Sequence, residues 1–130
     1  MKLTTCDKWF SIFIRLRDSD ENGICKCITC NNRNNWQQMD CGHYIKRQHA
    51  GTRYHEKNCH AQCRECNWLK QGNDSVYKEV IIEKYGQQIH DLLKSAEHKT
   101  IKQSAMDIKI LTQIYKQKAK ELAKKKGIQL

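Results

Sequence analysis

The chain has 130 residues, a formal net charge of +10 at pH 7, eight cysteines and no proline. That length allows one domain, or one small core with helical extensions, and apolar runs of only a few residues exclude a membrane-spanning helix. The charge calls for a polyanionic partner, most often nucleic acid, and the start MKLTTCDKWF reads as that of a cytosolic protein without a signal segment.

Residues 5–17, TCDKWFSIFIRLR, predict a short amphipathic helix. Trp9, Phe13 and Leu16 recur at i, i+4, i+7, with Thr5 as N-cap and Asp7 in the first turn. The following DSDENG (18–23) opens like a calcium loop, but position twelve is Thr29 where a bidentate Glu belongs. It therefore reads as a solvated turn, with Gly23 supplying backbone freedom. The centre, 24–72, is rich in cysteine and histidine, with short strand signals only around 40–45 and 58–62. Two short strands do not stand alone, so a staple is needed. From Asn73 the pattern is helical: Asp74 or Ser75 caps a helix to about Tyr85, ended by Gly86, and a second runs over 87–96. The last is expected over 100–126, with apolar Ile101, Ala105, Ile108, Leu111, Tyr115, Ala119 and Leu122 at steps of three and four. About 25 residues at a rise of 1.5 Å each span roughly 38 Å, more than the rest of the chain easily covers, which suggests a partner subunit.

The staple is legible. Cys27-Ile-Thr-Cys30 and Cys63-Arg-Glu-Cys66 offer four thiolates from two tight turns, a donor set for tetrahedral structural zinc. Without an oxidising compartment a disulfide framework is the poorer reading. Cys25 competes with Cys27 in C-K-C-I-T-C, and the two-residue spacing favours Cys27. Cys6, Cys41 and Cys59 remain as small buried residues or spare thiols. His49, His55, His60, His90 and His98 read as surface or packing residues, with His60 a candidate to hold a hairpin.

Beside the knuckles stand residues that structural zinc does not need. The pattern D-x-x-H…N-x4-C-x2-C-N contains Asp40, His43, Asn58 and Asn67. Asp40 and Asn67 offer hard oxygens that suit magnesium or manganese, and a neutral His43 imidazole can take a proton from water. Lys46, Arg47, Arg53 and Lys70 flank this set as phosphate contacts, Arg53 foremost because a planar guanidinium suits a phosphate.

The set His43, Asn58, Asn67 between cysteine knuckles resembles the HNH, or ββα-metal, nucleases, with Asn in place of the final His. The spacing of Asp40 and Asn67 about the Cys pairs is similar to that of phage recombination endonuclease VII. More closely, DKWFSIFIRLRD (7–18), CITC (27–30), MDCGHYIKRQHAGTRY (39–54), NCHAQCRECN (58–67) and EKYG (83–86) resemble the NinG (Rap) recombination proteins of lambda-like phages. The resemblance covers roughly residues 5–90.

It implies an α+β protein: an N-terminal helix and turn (1–23), a zinc-stapled ββα centre (24–73) and two or three C-terminal helices (74–130) offering dimerisation and DNA contact. It implies a magnesium-dependent endonuclease on branched DNA such as D-loops and Holliday junctions, working as a homodimer in the host cytoplasm, with recombination proteins as further partners. His43 would be the general base, Asp40 and Asn67 the magnesium ligands, and Asn58 would brace the hairpin that aims His43. The products would carry 5′-phosphate and 3′-hydroxyl ends. Gly42 departs from the family pattern, standing where many HNH enzymes carry a metal-binding Asp. A second departure is the dense Cys/His surroundings (Cys41, Cys59, His60), which could bind a wrong metal. Two rival readings are a non-catalytic zinc-containing DNA-binding or regulatory protein and a sequence-specific HNH nuclease.

Overall fold

Helix α1 (Thr5–Arg17) is the strut of the computed structural model, which describes residues 3–130. Its cap is Thr4, not Thr5. The Thr4 hydroxyl accepts the Asp7 backbone N–H at 3.1 Å, and the Asp7 carboxylate accepts the Thr4 N–H at 2.9 Å. A capping box closes only with the acid at the third helical position, which fixes the start. Phe10, Ile14 and Leu16 form the deep face, whereas Trp9 and Phe13 are half-buried. The helix is covered on two sides, by a β-hairpin and by the last helix, so its apolar arc is wider than one stripe.

Strands β1 (Ile24–Lys26) and β2 (Arg33–Asn35) pair antiparallel around the first knuckle. Strand β2 has no sequence signal, because Arg-Asn-Asn carries no apolar residue, and it is exposed throughout. Gly23 precedes them at φ +76° beside the Trp36 ring, the backbone freedom expected of it. Strands β3 (Asp40–His43) and β4 (Cys59–Gln62) form the second antiparallel ribbon, with Cys41 opposite Ala61, Gly42 opposite His60 and His43 opposite Cys59. Strand alternation turns Cys41 and His43 to one face, Asp40 and Gly42 to the other. The glycine is obligatory: a Cβ on Gly42 would lie 2.2 Å from Oε1 of the fully buried Gln62.

A single π-helical turn, Glu65–Leu69, follows β4 in place of a longer helix. Helices α2 (Asp74–Tyr85) and α3 (Gln87–Glu97) come next. The N-cap of α2 is Asn73, left-handed at φ 51° and without a side-chain capping bond. Asp74, one of the two caps expected, instead binds Lys46 Nζ at 2.7 Å. Helix α4 (Ala105–Lys126) has 22 residues and begins later than the periodicity suggested, because Ser104 and Asp107 close a second capping box. It lies along α1, burying Tyr115, Ala119 and Ala123. Lys126 Nζ reaches the carbonyls of Leu16 at 2.7 Å and Ser19 at 2.6 Å, a cation at the C-terminal end of α1. The chain thus covers one face of its own longest helix, and Met106, Ile110 and Ile114 stay exposed on it.

Asp7, Arg53 and Tyr54 tie α1 to the loop between β3 and β4. Arg53 Nε donates to Asp7 Oδ1 at 2.9 Å, its Nη2 donates to Oδ2, and the Tyr54 hydroxyl donates to Oδ1 at 2.9 Å. Burial alone would raise the Asp7 pKa, but the bonds from Arg53, Thr4 and Tyr54 hold it well below the ordinary carboxylate range. Asp7→Asn leaves a nearly buried guanidinium without its anion, so urea unfolding should report a loss of about 3–5 kcal/mol. A companion Arg53→Leu should restore part of it.

Candidate functional site

The two knuckles meet. The sulfurs of Cys27, Cys30, Cys63 and Cys66 all lie within 4.8 Å of one another, and Cys30 Sγ stands 3.6 Å from Cys63 Sγ. Four thiolates about 2.3 Å from a tetrahedral zinc have edges of about 3.8 Å, so the cluster fits that ion. Backbone N–H groups of Cys63 and Cys66 point at Cys27 Sγ (3.3 Å) and Cys63 Sγ (3.4 Å). Burial opposes ionisation of Cys27, yet the hydrogen bonds from Cys63 and Thr29 win and hold its pKa at about 6. Cys25 lies outside the cluster: its thiol donates to the Arg15 carbonyl at 3.2 Å, and burial pushes its pKa up to about 12. The choice of Cys27 over Cys25 is therefore sound.

Beside the knuckles opens a cleft of about 720 Å³, lined by Asp40, His43 and Asn67 together with Arg15, Lys46, Arg47, Arg64 and Trp68. Asn67, on the π-helical turn, donates to Asp40 Oδ2 at 3.2 Å, and Trp68 Nε1 donates to the same oxygen at 3.1 Å. Arg64 Nε lies 3.6 Å from Asp40 Oδ1. Turning the Asn67 amide over sets its oxygen beside the carboxylate, two hard donors for a cation that keeps most of its waters. His43 Nε2 lies 2.9 Å from the Arg53 carbonyl, which can only accept, so Nε2 carries the proton and Nδ1 is the basic nitrogen of the neutral ring. Burial lowers the His43 pKa against the opposing carbonyls of Arg53 and Cys41. That direction favours the neutral ring a base needs.

The remaining expected residues divide. Asn58 is fully buried and lies outside the cleft lining. Its Oδ1 accepts from Ile45 N–H at 2.8 Å, and its Nδ2 donates to the carbonyls of Ile45 (3.0 Å) and Thr52 (3.2 Å). It clamps the loop that ends at Arg53 and so positions His43; no chemistry can happen at Asn58 itself. Lys46 and Arg47 line the cleft, whereas Lys70 is exposed beyond it. Arg53, expected foremost as a phosphate contact, does not line the cleft: its guanidinium is committed to Asp7 and its carbonyl to His43. That correction follows from a pairing 46 residues apart, which spacing along the chain does not reveal. Arg15, Arg64 and Trp68 were missed, although Arg64 and Trp68 adjoin the second knuckle and Asn67 in sequence.

His60 does hold the hairpin. The Tyr77 hydroxyl donates to the Gly42 carbonyl at 2.7 Å, so it accepts from His60 Nδ1 at 3.0 Å, and Nε2 then accepts from Tyr85 at 2.7 Å. Burial lowers the His60 pKa from 6.5 to about 4. An unfolded chain takes up this proton near pH 6.5, the folded one only near pH 4. The stability from keeping His60 neutral is present above 6.5 and is lost as pH falls to 4, amounting to about 3 kcal/mol. Urea titrations should show that slope, and His60→Gln should flatten it from a lower starting stability.

Fold and site together define a small α+β protein in which a four-cysteine cluster braces a ribbon carrying a cation-rimmed cleft. The chain belongs to the family described as Bacteriophage Lambda NinG protein, whose model matches residues 3–126. Protein ninG of Salmonella phage P22 is 36% identical over 111 residues, 85% of this chain and 52% of the relative. Those of Escherichia phage lambda and Escherichia phage 933W are 35% and 34% identical over the same shares. The chain thus spans about half the length of these curated relatives. No solved structure matches it. Among the described residues, no helix is long and apolar enough to cross a membrane.

Proposed function

We propose that the chain is a metal-dependent DNA endonuclease of the HNH type, acting on branched recombination intermediates such as Holliday junctions and D-loops. The observation that supports this most is the common cleft: the Asp40 carboxylate, the Asn67 amide and the His43 imidazole line the same space, together with Arg15, Lys46, Arg47 and Arg64. A non-catalytic zinc module has use for the cations but not for the first three.

In this reading His43 Nδ1 takes a proton from the attacking water, its ring held by the Arg53 carbonyl at 2.9 Å. Asp40 and Asn67 would hold the magnesium or manganese ion. When bound, such an ion stabilises charge on the leaving 3′ oxygen. The surrounding arginines and Lys46 orient the phosphates. Trp68, 73% exposed beside Asn67, offers a ring for an unpaired base, a feature of branched DNA. Two cuts in a junction call for two sites, and the exposed Met106, Ile110 and Ile114 on α4 suit the interface of a homodimer.

The test compares four-way, flap and linear DNA with magnesium and with chelator. Cutting of the four-way and flap substrates, abolished by chelator, is the expected result. Binding without cutting under all conditions favours the non-catalytic reading, and cutting of particular linear sequences favours a sequence-specific nuclease. Affinity should fall steeply between 50 and 200 mM salt as phosphate contacts release counterions; a flat salt titration would remove the electrostatic part of the proposal.

A further inference from the structure

We propose that Cys41, His43 and Cys59 form a second metal site, selective for a thiophilic cation of the zinc and cadmium class and separate from the four-cysteine cluster. The ribbon builds it. Alternation along β3 puts Cys41 and His43 on one face, and the register sets Cys59 directly opposite His43. One sulfur from each cysteine and one ring nitrogen lie within 4.8 Å of one another. A tetrahedral ion with Zn–S near 2.3 Å and Zn–N near 2.0 Å needs edges of about 3.5–3.8 Å. Rotations of side chains on a fixed ribbon supply that closure.

The donors decide the class of metal. Two thiols and an imidazole favour soft and borderline cations over magnesium. Cys59 is fully buried, while Cys41 and His43 line the cleft. Three protein ligands with the fourth direction open to solvent is the arrangement of an exchangeable site, unlike the closed set of four thiolates. His43 also has the second bond that metal-bound imidazoles commonly make, from its other ring nitrogen to a backbone carbonyl, here that of Arg53 at 2.9 Å. An ion seated there shares its imidazole with the cleft, so cleft and site compete for one ring.

The claim concerns binding and is read without any cleavage assay, so it stands or falls apart from the nuclease proposal. The full chain, reduced and loaded with one equivalent of zinc, is titrated anaerobically with cadmium. Thiolate-to-cadmium absorption is followed, and native mass spectrometry counts the ions. The parent is expected to reach two metal ions per chain. Cys41→Ala and His43→Ala, both at half-buried positions, should stop at one and keep the parent's circular dichroism. A parent that saturates at one ion, or a Cys41→Ala chain that still takes two, overturns the proposal. Should Cys41→Ala fail to fold, His43→Ala alone decides by the same count.

Discussion

Cys63→Ser should leave the centre of the chain unfolded, with loss of the bound zinc and of most ordered structure by circular dichroism. The expected effect is large because the ribbons that the knuckles brace are short. Each ribbon has two strands, of three residues in β1 and β2 and four in β3 and β4, and isolated two-stranded ribbons are marginal in water. The apolar cluster beneath them is itself built partly of Cys25, Cys27 and Cys66, around Leu16, Trp36 and Met39. Structural zinc contributes on the order of 10 kcal/mol, comparable to the entire stability of a small domain. The knuckle also sets the cleft, because Asn67 and Trp68 lie on the turn that carries Cys66. A Cys63→Ser protein that holds no zinc yet keeps its dichroism and urea midpoint would show that packing by α1 and α4 suffices. Cys25→Ser, outside the cluster, should keep its zinc and stay folded.

Much of this frame is legible in the residues, for identifiable reasons. Paired cysteines with two residues between them encode a metal turn locally, so the four members of the cluster could be read directly. Helices α2 and α3 could be read as well, since Gly86 punctuates them, and β3 and β4 fall within two residues of their expected spans. What escaped was set by tertiary partners. Asp7 reads as a first-turn acid and is also the anion for Arg53, 46 residues away. His60 reads as a candidate to hold a hairpin, but its partners Tyr77 and Tyr85, which close on it from α2, lie too far along the chain to be read. The Arg-Asn-Asn strand forms because the knuckle folds the chain back on itself, not because those residues favour a strand. Gly42, unexplained as sequence, is explained by Gln62 filling the space of a side chain.

His43→Ala should lower cleavage of a four-way junction by about 10²–10⁴-fold, the range for losing a general base, while junction binding changes little. The two outcomes separate because the cations that line the cleft, Arg15, Lys46, Arg47 and Arg64, are untouched. Asn67→Ala should also lose cleavage, but partly recover at raised magnesium or manganese, since it removes one oxygen donor and leaves Asp40. His43→Ala has no such recovery, because added metal does not restore a proton acceptor. The pH profiles should differ in the same sense. Parent activity falls as His43 takes up a proton, and burial lowers its pKa, so the acid limb should lie below the ordinary imidazole range. In Asn67→Ala the acid limb should remain where it is; in His43→Ala it should vanish. Equal cleavage by parent and His43→Ala at every pH would remove the imidazole from the chemistry and leave the cleft a binding surface.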